Sequence, residues 1–411
     1  MGFLKKNLPK GIWDCCEKNV CFKRFIVNIS EDMKIAFIGG RDIRKLGGIE
    51  SYMYNLATEL VKKGHEPIVY CESDHYSVEW INGFKVIYQK GPKSMFLCKP
   101  LLGLKSTINA VFREKHIDVI HYNAWPPALS SPLACLFGIK SVMQGHGHEW
   151  KNTKYSITQK KILRFMERLS AKMNKNVITV SNAQSDYYNR SYRKNVVTIP
   201  TAINPPALVE DKLQYLNKYG LLPKKYFLVV ARIVPVKNID VLINAFIKSN
   251  HADYKLVIAG NNEANPEYVN SLKLLARQSN DIIFTGAVYG EEKTSLIENS
   301  YTFCIPSTSE GLSVALLEAM GLSVPIIASD IEGNREVLQT DKAVWVRAED
   351  EQDLCSAIEY SIAHEREIFA STEFNRNLIL ENYTWEKVTE KYINYLTDLF
   401  SHRNDRVSRC E

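Results

Sequence analysis

Short apolar segments alternate with helix-length amphipathic segments along nearly the whole chain. The first apolar segment, residues 34–40, runs into a glycine-containing loop. Apolar residues then recur at helical spacing, at Ile49, Met53, Leu56, Ala57, Leu60 and Val61. Repeated alternation of strand and helix places the strands in parallel and covers both faces of the sheet with helices. The sequence therefore predicts an α/β fold with doubly wound parallel sheets.

A proline-rich segment at 200–207 divides the alternation into two series. In the first series, strands are predicted at 34–40, 66–71, 117–122, 140–143, 177–180 and 196–200. In the second series, they are predicted at 226–230, 255–259, 281–285, 302–305, 325–328 and 343–346. Residues 383–400 have the apolar spacing of a long amphipathic helix. The predicted organisation is a leader at 1–32, α/β domains at 33–204 and 205–382, and a terminal helix with a tail at 383–411.

Composition indicates the class of protein and the cellular compartment in which it works. The chain has 411 residues, of which 45% are hydrophobic, which is enough for roughly two or three domains. No apolar stretch approaches the roughly 18 residues of a membrane-spanning helix. Nine scattered cysteines favour a reducing cytoplasm over a disulfide-rich secreted protein. Residues 1–32 lack signal-peptide features, which leaves a flexible tail, a membrane-touching arm or translation from an upstream start as interpretations.

Positive charge is concentrated in the first half of the chain. Residues 1–205 contain 31 Lys and Arg against 16 Asp and Glu, whereas residues 206–411 contain 21 against 30. A basic half can attract an anionic membrane, a diphosphate-bearing lipid or nucleic acid, although solvated lysine explains it equally well. The predicted helix 158–174 is basic and also has an apolar stripe, at Ile162, Phe165, Met166, Leu169 and Met173. This stripe fits either a membrane interface or the protein core.

Two glutamates eight residues apart, Glu310 and Glu318, form the most informative pattern in the second half. Glu310 precedes a predicted helix and Glu318 lies within it. Gly311 lets the backbone approach a ligand, and the amides of Leu312 and Ser313 can donate to sugar hydroxyls or phosphate. The carboxylate of Glu318 is suited to accept hydrogen bonds from vicinal ribose hydroxyls. Two solvated surface glutamates are the simpler alternative, but their position after a predicted strand favours a binding site.

Two cations follow the first predicted strand of the second series. Arg232 and Lys237 lie in the loop after residues 226–230, at the strand end where ligands of open α/β sheets bind. Such a pair is suited to a diphosphate, because fixed cations stabilise the negative charge that develops on a leaving phosphate oxygen. An ordinary surface loop with two cations explains the pattern equally well.

The loop after the first strand contains Gly47 and Gly48 at the start of a predicted helix. Backbone amides at such a helix start can bind a phosphate, so both glycines are candidate donor-binding residues. The loop does not match the Gly-x-Gly-x-x-Gly fingerprint of dinucleotide enzymes, which weakens a hydride-transfer function. A tight turn in a flexible loop is the structural alternative.

The loop after the predicted strand 140–143 contains two His, one Glu and one Trp. His146 is a candidate to hydrogen-bond a sugar hydroxyl, and polar capping of a loop is the alternative. Metal ligation by His146 and His148 lacks a third ligand at a fixed spacing. The same holds for three cysteines that lack a fourth ligand, Cys15, Cys16 and Cys21. The chain also contains no Asp-x-Asp sequence, so we expect neither a metal site nor a cofactor.

Together these motifs resemble glycosyltransferase family 4, the retaining nucleotide-sugar transferases with two Rossmann-like domains in the GT-B architecture. The resemblance covers residues 33 to about 400. Its most specific parts are the Glu310 and Glu318 element, the Arg232 and Lys237 pair, the loop Gly47-Gly-Ile-Glu50 and the strand end Val180-Ser-Asn182. The stretch His146-Gly-His-Glu-Trp-Lys151 is similar to that of family members that build bacterial surface polysaccharides, including rhamnosyltransferase-like ones.

The resemblance implies a role for each motif. Arg232 and Lys237 would grip the donor diphosphate, and Glu318 would hold the nucleotide ribose. Glu310, with the amides of residues 311–313, would face the donor sugar. His146 would lie near the donor sugar and the reaction centre. The terminal helix would cross back to the first domain.

The resemblance also implies a function. We expect a metal-independent, retaining hexosyltransferase that uses a nucleotide-diphosphate sugar and a glycan or lipid-linked glycan acceptor in capsule, exopolysaccharide or lipopolysaccharide biosynthesis. It would be cytoplasmic, with an anionic membrane surface on the inner face of the cell membrane as a further partner and no nucleic acid. Two alternatives share the architecture: a non-hydrolysing sugar-nucleotide epimerase and a non-catalytic sugar-nucleotide-binding subunit.

Overall fold

The described part of the chain folds into two β-sheets, one from each half of the sequence. The computed structural model describes residues 32–44, 47–91, 98–146, 156–205, 212–251, 253–260 and 265–401. All of the predicted leader except Asp32 therefore lies outside the described residues. Within these ranges, no helix is both long and apolar enough to cross a membrane.

The first sheet has eight strands in the order β3-β4-β2-β1-β5-β6-β7-β8. They are β1 (Lys34–Gly40), β2 (Glu66–Ser73), β3 (Ser77–Ile81), β4 (Phe84–Lys90), β5 (Val119–Asn123), β6 (Lys140–Gly145), β7 (Asn176–Thr179) and β8 (Val197–Thr198). The alternating pattern did not predict the edge hairpin β3–β4, in which β3 runs antiparallel to β4. Its turn is Asn82-Gly83 with both φ angles positive, at 47° and 85°, as tight hairpins require.

The second sheet has six parallel strands in the order β11-β10-β9-β12-β13-β14. They are β9 (Tyr226–Val230), β10 (Lys255–Ala259), β11 (Ile282–Gly286), β12 (Thr302–Ile305), β13 (Ile326–Ser329) and β14 (Val344–Val346). Each lies within one residue of its predicted position. The strand order reverses between β9 and β12, so their carboxyl ends border a crevice in which doubly wound sheets bind ligands.

Helices cover both faces of each sheet, as expected for doubly wound sheets. Those of the first half are α1 (Gly48–Lys62), α2 (Cys98–Phe112), α3 (Trp125–Ala128), α4 (Ser131–Leu136), α5 (Ile157–Met173) and α6 (Asn182–Tyr192). The second half contains α7 (Lys212–Lys218), α8 (Ile239–Lys248), α9 (Pro266–Ala276), α10 (Gly290–Glu298), α11 (Val314–Gly321), α12 (Glu332–Arg335), α13 (Glu351–Ala363), α14 (Glu365–Ala370), α15 (Thr372–Asn382) and α16 (Trp385–Ser401).

The terminal helix α16 crosses back to the first sheet, as the resemblance implies. After α15, a bridge between Ile203 and Thr384 joins the start of α16 to the end of the first series. Trp385, Val388 and Tyr392 are then buried in the same core as α1 and β1. The two halves are therefore joined by the chain twice, once near residue 205 and once through α16.

A buried hydrogen-bonded chain connects α16 to the strand end of β6. The Tyr392 hydroxyl lies 2.8 Å from Nδ1 of His121, and Nε2 of His121 lies 2.9 Å from Oε1 of Gln144. Because an amide oxygen only accepts, Nε2 donates to Gln144 and Nδ1 accepts from Tyr392. Burial lowers the pKa of His121 to about 3, so the imidazole is neutral at physiological pH.

This geometry predicts a specific pH dependence of stability. In the unfolded chain His121 takes up a proton near pH 6.5, whereas in the folded chain it does so only near pH 3. The contribution of neutral His121 to stability is therefore full above pH 6.5 and is lost as the pH falls toward 3. Its slope is at most about 1.4 kcal/mol per pH unit. His121→Asn should flatten the decline in the free energy of unfolding, measured by urea denaturation between pH 7 and pH 5.

The exposed His75 provides the matched control, and His75→Asn should leave the decline unchanged. Equal slopes for wild type and His121→Asn would show that His121 is protonated alike in the folded and unfolded chain.

Candidate functional site

A pocket opens at the carboxyl ends of β9 and β12, where the strand order of the second sheet reverses. Its lining comes from both strands and the loops that follow them. The polar side chains in this lining are Lys237, Ser307, Glu310 and Ser313. One residue from each of two predicted groups, Lys237 of the cation pair and Glu310 of the glutamate pair, therefore meet at one place in the fold.

An ion pair between Lys237 and Glu310 occupies this pocket. Nζ of Lys237 lies 2.5 Å from Oε1 of Glu310, and the Ser307 hydroxyl donates to the same oxygen at 2.6 Å. The side chains of Lys237 and Glu310 are only 17% and 10% exposed. Desolvation strengthens such a pair and makes a lone charge costly at this position. The Lys237 ammonium has two further hydrogens, so it can keep Glu310 while it contacts a bound anion.

One side-chain and one backbone hydrogen bond hold the two loops together. The side-chain amide of Asn238 donates to the carbonyl of Pro306 at 3.0 Å, and the amide of Thr308 donates to the carbonyl of Val236 at 2.9 Å. A Cβ on Gly333 would lie 2.4 Å from the carbonyl oxygen of Glu310, so only glycine lets α12 approach this closely. The position of Glu310 relative to Lys237 is therefore built into the packing of the loops.

Helix α11 begins at the rim of the pocket. Ser313 caps it by accepting a hydrogen bond from the amide of Leu316 at 3.4 Å, and Ser313 also lines the pocket. Gly311 is exposed, and Leu312 packs against the core of the second sheet. The first amides of a helix lack partners within the helix and carry partial positive charge. This rim can therefore donate hydrogen bonds to an oxygen-rich ligand.

Glu318 lies on α11 beyond Ser313 and is not part of the pocket lining. Its Oε1 accepts from Nζ of Lys293 on α10 at 2.6 Å, and both side chains are about a quarter exposed. Lys293 was not predicted, because it lies in an ordinary charged helix, Gly290–Glu298, with no motif to distinguish it. The carboxylate keeps a second oxygen that can accept from a ligand.

Arg232 is exposed in the loop after β9 and belongs to none of the ion pairs among the described residues. The backbone before it is tightly packed, since a Cβ on Gly260 would lie 1.9 Å from the carbonyl oxygen of Ala231. The guanidinium is thus attached to a fixed loop while it remains available to an anion.

Gly47 and Gly48 lie at the other sheet, at the start of α1. Oε1 of Glu50 accepts from the amide of Arg41 at 2.9 Å, and its Oε2 would lie 2.1 Å from a Cβ on Gly47. The space beside Gly47 is therefore occupied by the carboxylate of Glu50, at the position where the sequence predicts a bound phosphate. Residues 45 and 46 of this loop are outside the described residues.

His146 follows β6 directly, and its ring contacts Tyr52 edge-on at 5.2 Å between centroids. Burial, aided by the charge of Lys99, lowers the pKa of His146 to about 4. Its Nε2 is buried and has no hydrogen-bond partner among the described residues. A neutral imidazole with a free nitrogen is suited to bind a hydroxyl. The other residues of this motif, His148, Glu149, Trp150 and Lys151, lie outside the described residues.

A buried polar group at the end of the neighbouring strand was missed by the sequence patterns. Asn123 ends β5, the strand beside β6, and is fully buried. Neither polar atom of its side chain has a partner within the described ranges. Its place at a strand end, like that of His146, was the signal that could have identified it.

The described contacts gather Lys237, Glu310 and Ser313 into one pocket but place none of them against Gly47, Gly48 or His146. The halves do touch beside the pocket, where the amide of Asn182 donates to Oε1 of Glu336 at 2.8 Å. Burial at this contact raises the pKa of Glu336.

Among the described residues, no three His, Cys, Asp or Glu side chains are grouped as metal ligands would be. The cysteines considered at the sequence level, Cys15, Cys16 and Cys21, are outside those ranges.

Comparison with known proteins gives matches to both halves. Residues 46–206 match the model of Glycosyltransferase Family 4, and residues 211–399 match that of Glycosyl transferases group 1. An uncharacterized glycosyltransferase of Methanocaldococcus jannaschii is 26% identical over 88% of this chain and 97% of its own length.

Two relatives have more specific names. The GDP-mannose-dependent alpha-(1-6)-phosphatidylinositol monomannoside mannosyltransferase of Mycolicibacterium smegmatis is 24% identical over 82% of this chain and 92% of its own. The O-antigen chain mannosyltransferase of Salmonella typhimurium is 30% identical over 49% of this chain and 55% of its own.

Solved structures agree in fold. Sucrose-phosphate synthase from Thermosynechococcus elongatus superposes with a TM-score of 0.77 at 19% identity, over 90% of this chain and all of that one. The Anabaena protein HepE in complex with UDP-glucose superposes with a TM-score of 0.73 at 16% identity, over 89% of this chain and all of that one. With its two doubly wound sheets, its returning terminal helix and matches to both family models, the chain belongs to the family 4 glycosyltransferases of the GT-B fold.

Proposed function

We propose that the protein is a retaining hexosyltransferase that moves a sugar from a nucleotide-diphosphate donor to a hydroxyl of a glycan acceptor. The observation that carries this proposal is the Lys237–Glu310 pair, which lies at the rim of α11 and at the strand-order reversal of the second sheet. A fixed cation beside a helix N-terminus is suited to a diphosphate, and a carboxylate beside it is suited to sugar hydroxyls.

The donor would lie along the carboxyl edge of the second sheet. Lys237 and the exposed Arg232 would contact the diphosphate, while the amides of Gly311, Leu312 and Ser313 donate to its oxygens or to the sugar. Glu318, held by Lys293, would accept from the ribose hydroxyls through its second oxygen.

Acceptor attack would occur on the face of the anomeric carbon from which the diphosphate departs, so the configuration is retained. The bond from the anomeric carbon to the diphosphate oxygen breaks, and the acceptor oxygen forms the new bond. The acceptor proton passes to the departing oxygen. Lys237 and Arg232 stabilise the charge growing on that oxygen, which lowers the barrier because they are already in place. His146, neutral and with Nε2 free, would bind a hydroxyl of the donor sugar.

Two cations would do the work of a divalent ion in this site, so we propose turnover without added metal. We further propose an acceptor that is a glycan or lipid-linked glycan of a cell-surface polysaccharide. Relatives named for O-antigen and for phosphatidylinositol mannoside support this acceptor class. The protein would act at the cytoplasmic face of the cell membrane.

Substitution of the charged residues of the proposed donor site should strongly reduce turnover while the fold survives. Arg232→Ala, Lys237→Ala and Glu310→Ala should each reduce kcat by about 100-fold or more, because each removes a group preorganised around the leaving diphosphate or the sugar. Release of nucleoside diphosphate gives the rate, and circular dichroism reports the fold. The surface pair of Lys218 and Glu292, 2.7 Å apart, gives the control Lys218→Ala, which should keep full activity.

The double variant Lys237→Met/Glu310→Gln separates catalysis from stability. It leaves no unpaired buried charge, so its melting temperature should recover relative to either single variant. Its turnover should stay low because the cation is still absent. Recovery of turnover along with stability would show that the ion pair is only structural.

Donor binding should appear as a selective rise in melting temperature. The protein would be screened with UDP-, GDP-, ADP- and dTDP-sugars in chelator, because a ligand of the folded state stabilises by mass action. We expect one nucleotide class to raise the melting temperature, with slow release of its diphosphate in chelator. Lys237→Met should weaken this shift.

Other outcomes of the same panel contradict the proposal in different ways. Conversion of the donor to an isomer without acceptor would identify an epimerase. Binding without turnover with any acceptor glycan would identify a non-catalytic subunit, and turnover only after metal is restored would refute metal independence.

A further inference from the structure

Helix α2 presents a row of apolar side chains to solvent. Leu101, Leu104, Ile108 and Phe112 recur at spacings of three and four, so they share one face of the helix. They are 45%, 41%, 44% and 61% exposed. The opposite face, which includes Leu102 and Ala110, is buried. An amphipathic surface helix normally turns polar side chains outward.

Helix α5 repeats this arrangement. Ile162, Phe165 and Leu169 are spaced three and four apart and are 51%, 65% and 41% exposed. The buried face of α5 is a different one, formed by Leu163, Glu167, Ser170 and Ala171. For these three residues of the predicted stripe, the core interpretation is therefore wrong.

Both helices lie on the same face of the first sheet. Ala110 of α2 and Leu163 of α5 are buried in one core cluster, and both helices pack against α3 between them. Phe137, just after α4, contacts Phe112 edge-on at 4.9 Å and extends the apolar surface. We call this surface of α2, α4 and α5 the outer helix face.

The exposed charged side chains of the outer helix face are mainly basic. Helix α2 contains no Asp or Glu, and the one acidic side chain of α5, Glu167, is fully buried. Exposed cations on and beside these helices include Lys105, Arg113, Lys161, Arg168 and Lys172. Exposed apolar rows beside Lys and Arg, without acidic neighbours on the same helices, match the interface of a bilayer with anionic lipid headgroups.

We propose that the outer helix face docks the protein onto an anionic membrane. The apolar rows would enter the boundary between headgroups and acyl chains, and the cations would contact lipid phosphates. A second copy of this chain fits less well, because a two-fold contact through this face would bring its cations together. The face thus selects a surface of opposite charge.

The orientation of the helices connects this surface to the proposed acceptor site. Helices α2 and α5 follow β4 and β6, so both begin at the carboxyl edge of the sheet, where His146 lies. A docked protein would therefore keep this edge close to the bilayer, as a lipid-linked acceptor requires. This last step rests on the proposed function, whereas docking itself does not.

Vesicle cosedimentation of the full chain tests the proposal. Vesicles of phosphatidylcholine alone are compared with vesicles that also contain phosphatidylglycerol. We expect binding only to the anionic vesicles, and weaker binding at high salt. Ile162→Ser/Phe165→Ser and Leu104→Ser/Ile108→Ser should each reduce the partition coefficient about 10-fold or more, as should Lys161→Glu/Arg168→Glu.

Matched controls come from α9 in the second half, where Leu274 is 64% exposed and Lys273 is also exposed. Leu274→Ser and Lys273→Glu should leave binding unchanged. Melting temperatures close to wild type would confirm that the variants are folded. Retention of the nucleotide-induced thermal shift would keep a failure of docking distinct from a failure of the transferase proposal.

Three outcomes would overturn the proposal. If the wild-type protein sediments with neither type of vesicle, the outer helix face does not dock onto membranes. Equal binding by wild type and all three double variants places membrane contact elsewhere in the chain. A lipid-free dimer that the α2 or α5 variants dissociate, seen by light scattering, identifies the face as an interface between copies.

Discussion

The return of α16 to the first sheet is the constraint on which the relation between the two halves depends. His121 and Tyr392 are 271 positions apart, yet they share a hydrogen bond and both are fully buried. Around that bond, Trp385, Val388 and Leu396 are buried with α1. A helix that follows the second sheet but belongs to the first core limits how far the two sheets can separate. The amide of Asn182 and the carboxylate of Glu336 make a further hydrogen bond between the two halves.

Charge in the proposed donor site is balanced before any ligand enters. Lys237 is paired with Glu310, and Lys293 is paired with Glu318. Each pair sits beside a helix or loop whose packing leaves little freedom, as the close contact of Gly333 with the Glu310 carbonyl shows. Such preorganisation avoids the cost of ordering charged side chains when a polyanion binds. It also explains how a glutamate and a lysine can share a largely desolvated pocket without destabilising the fold.

The sequence predicted strands well in the second half, where buried parallel strands are short, continuous apolar runs. It was weaker at the edge of the first sheet. Strands β3 and β4 form a hairpin whose outer strand, β3, is largely exposed. The sequence of β3 therefore lacks the continuous apolar run that is typical of a buried strand. The sequence also left open which face of α5 packs against the sheet. Ile162, Phe165 and Leu169 have the periodicity of a core stripe, and only the packing of Leu163 and Ala171 against the sheet shows that they face outward.

The α/β class, the two series of strands and the residues that gather at strand ends, including Lys237 and Glu310, could all be predicted from the amino-acid sequence. These features are local, because strand period, helix period and loop chemistry are set by neighbouring residues. Which of these residues touch one another could be read only from the folded chain. The partners of Glu310, Glu318 and His121 come from distant segments, and pairing across such distances depends on strand order and helix packing. The same is true of the exposed rows on α2 and α5, since exposure depends on what the rest of the fold leaves uncovered.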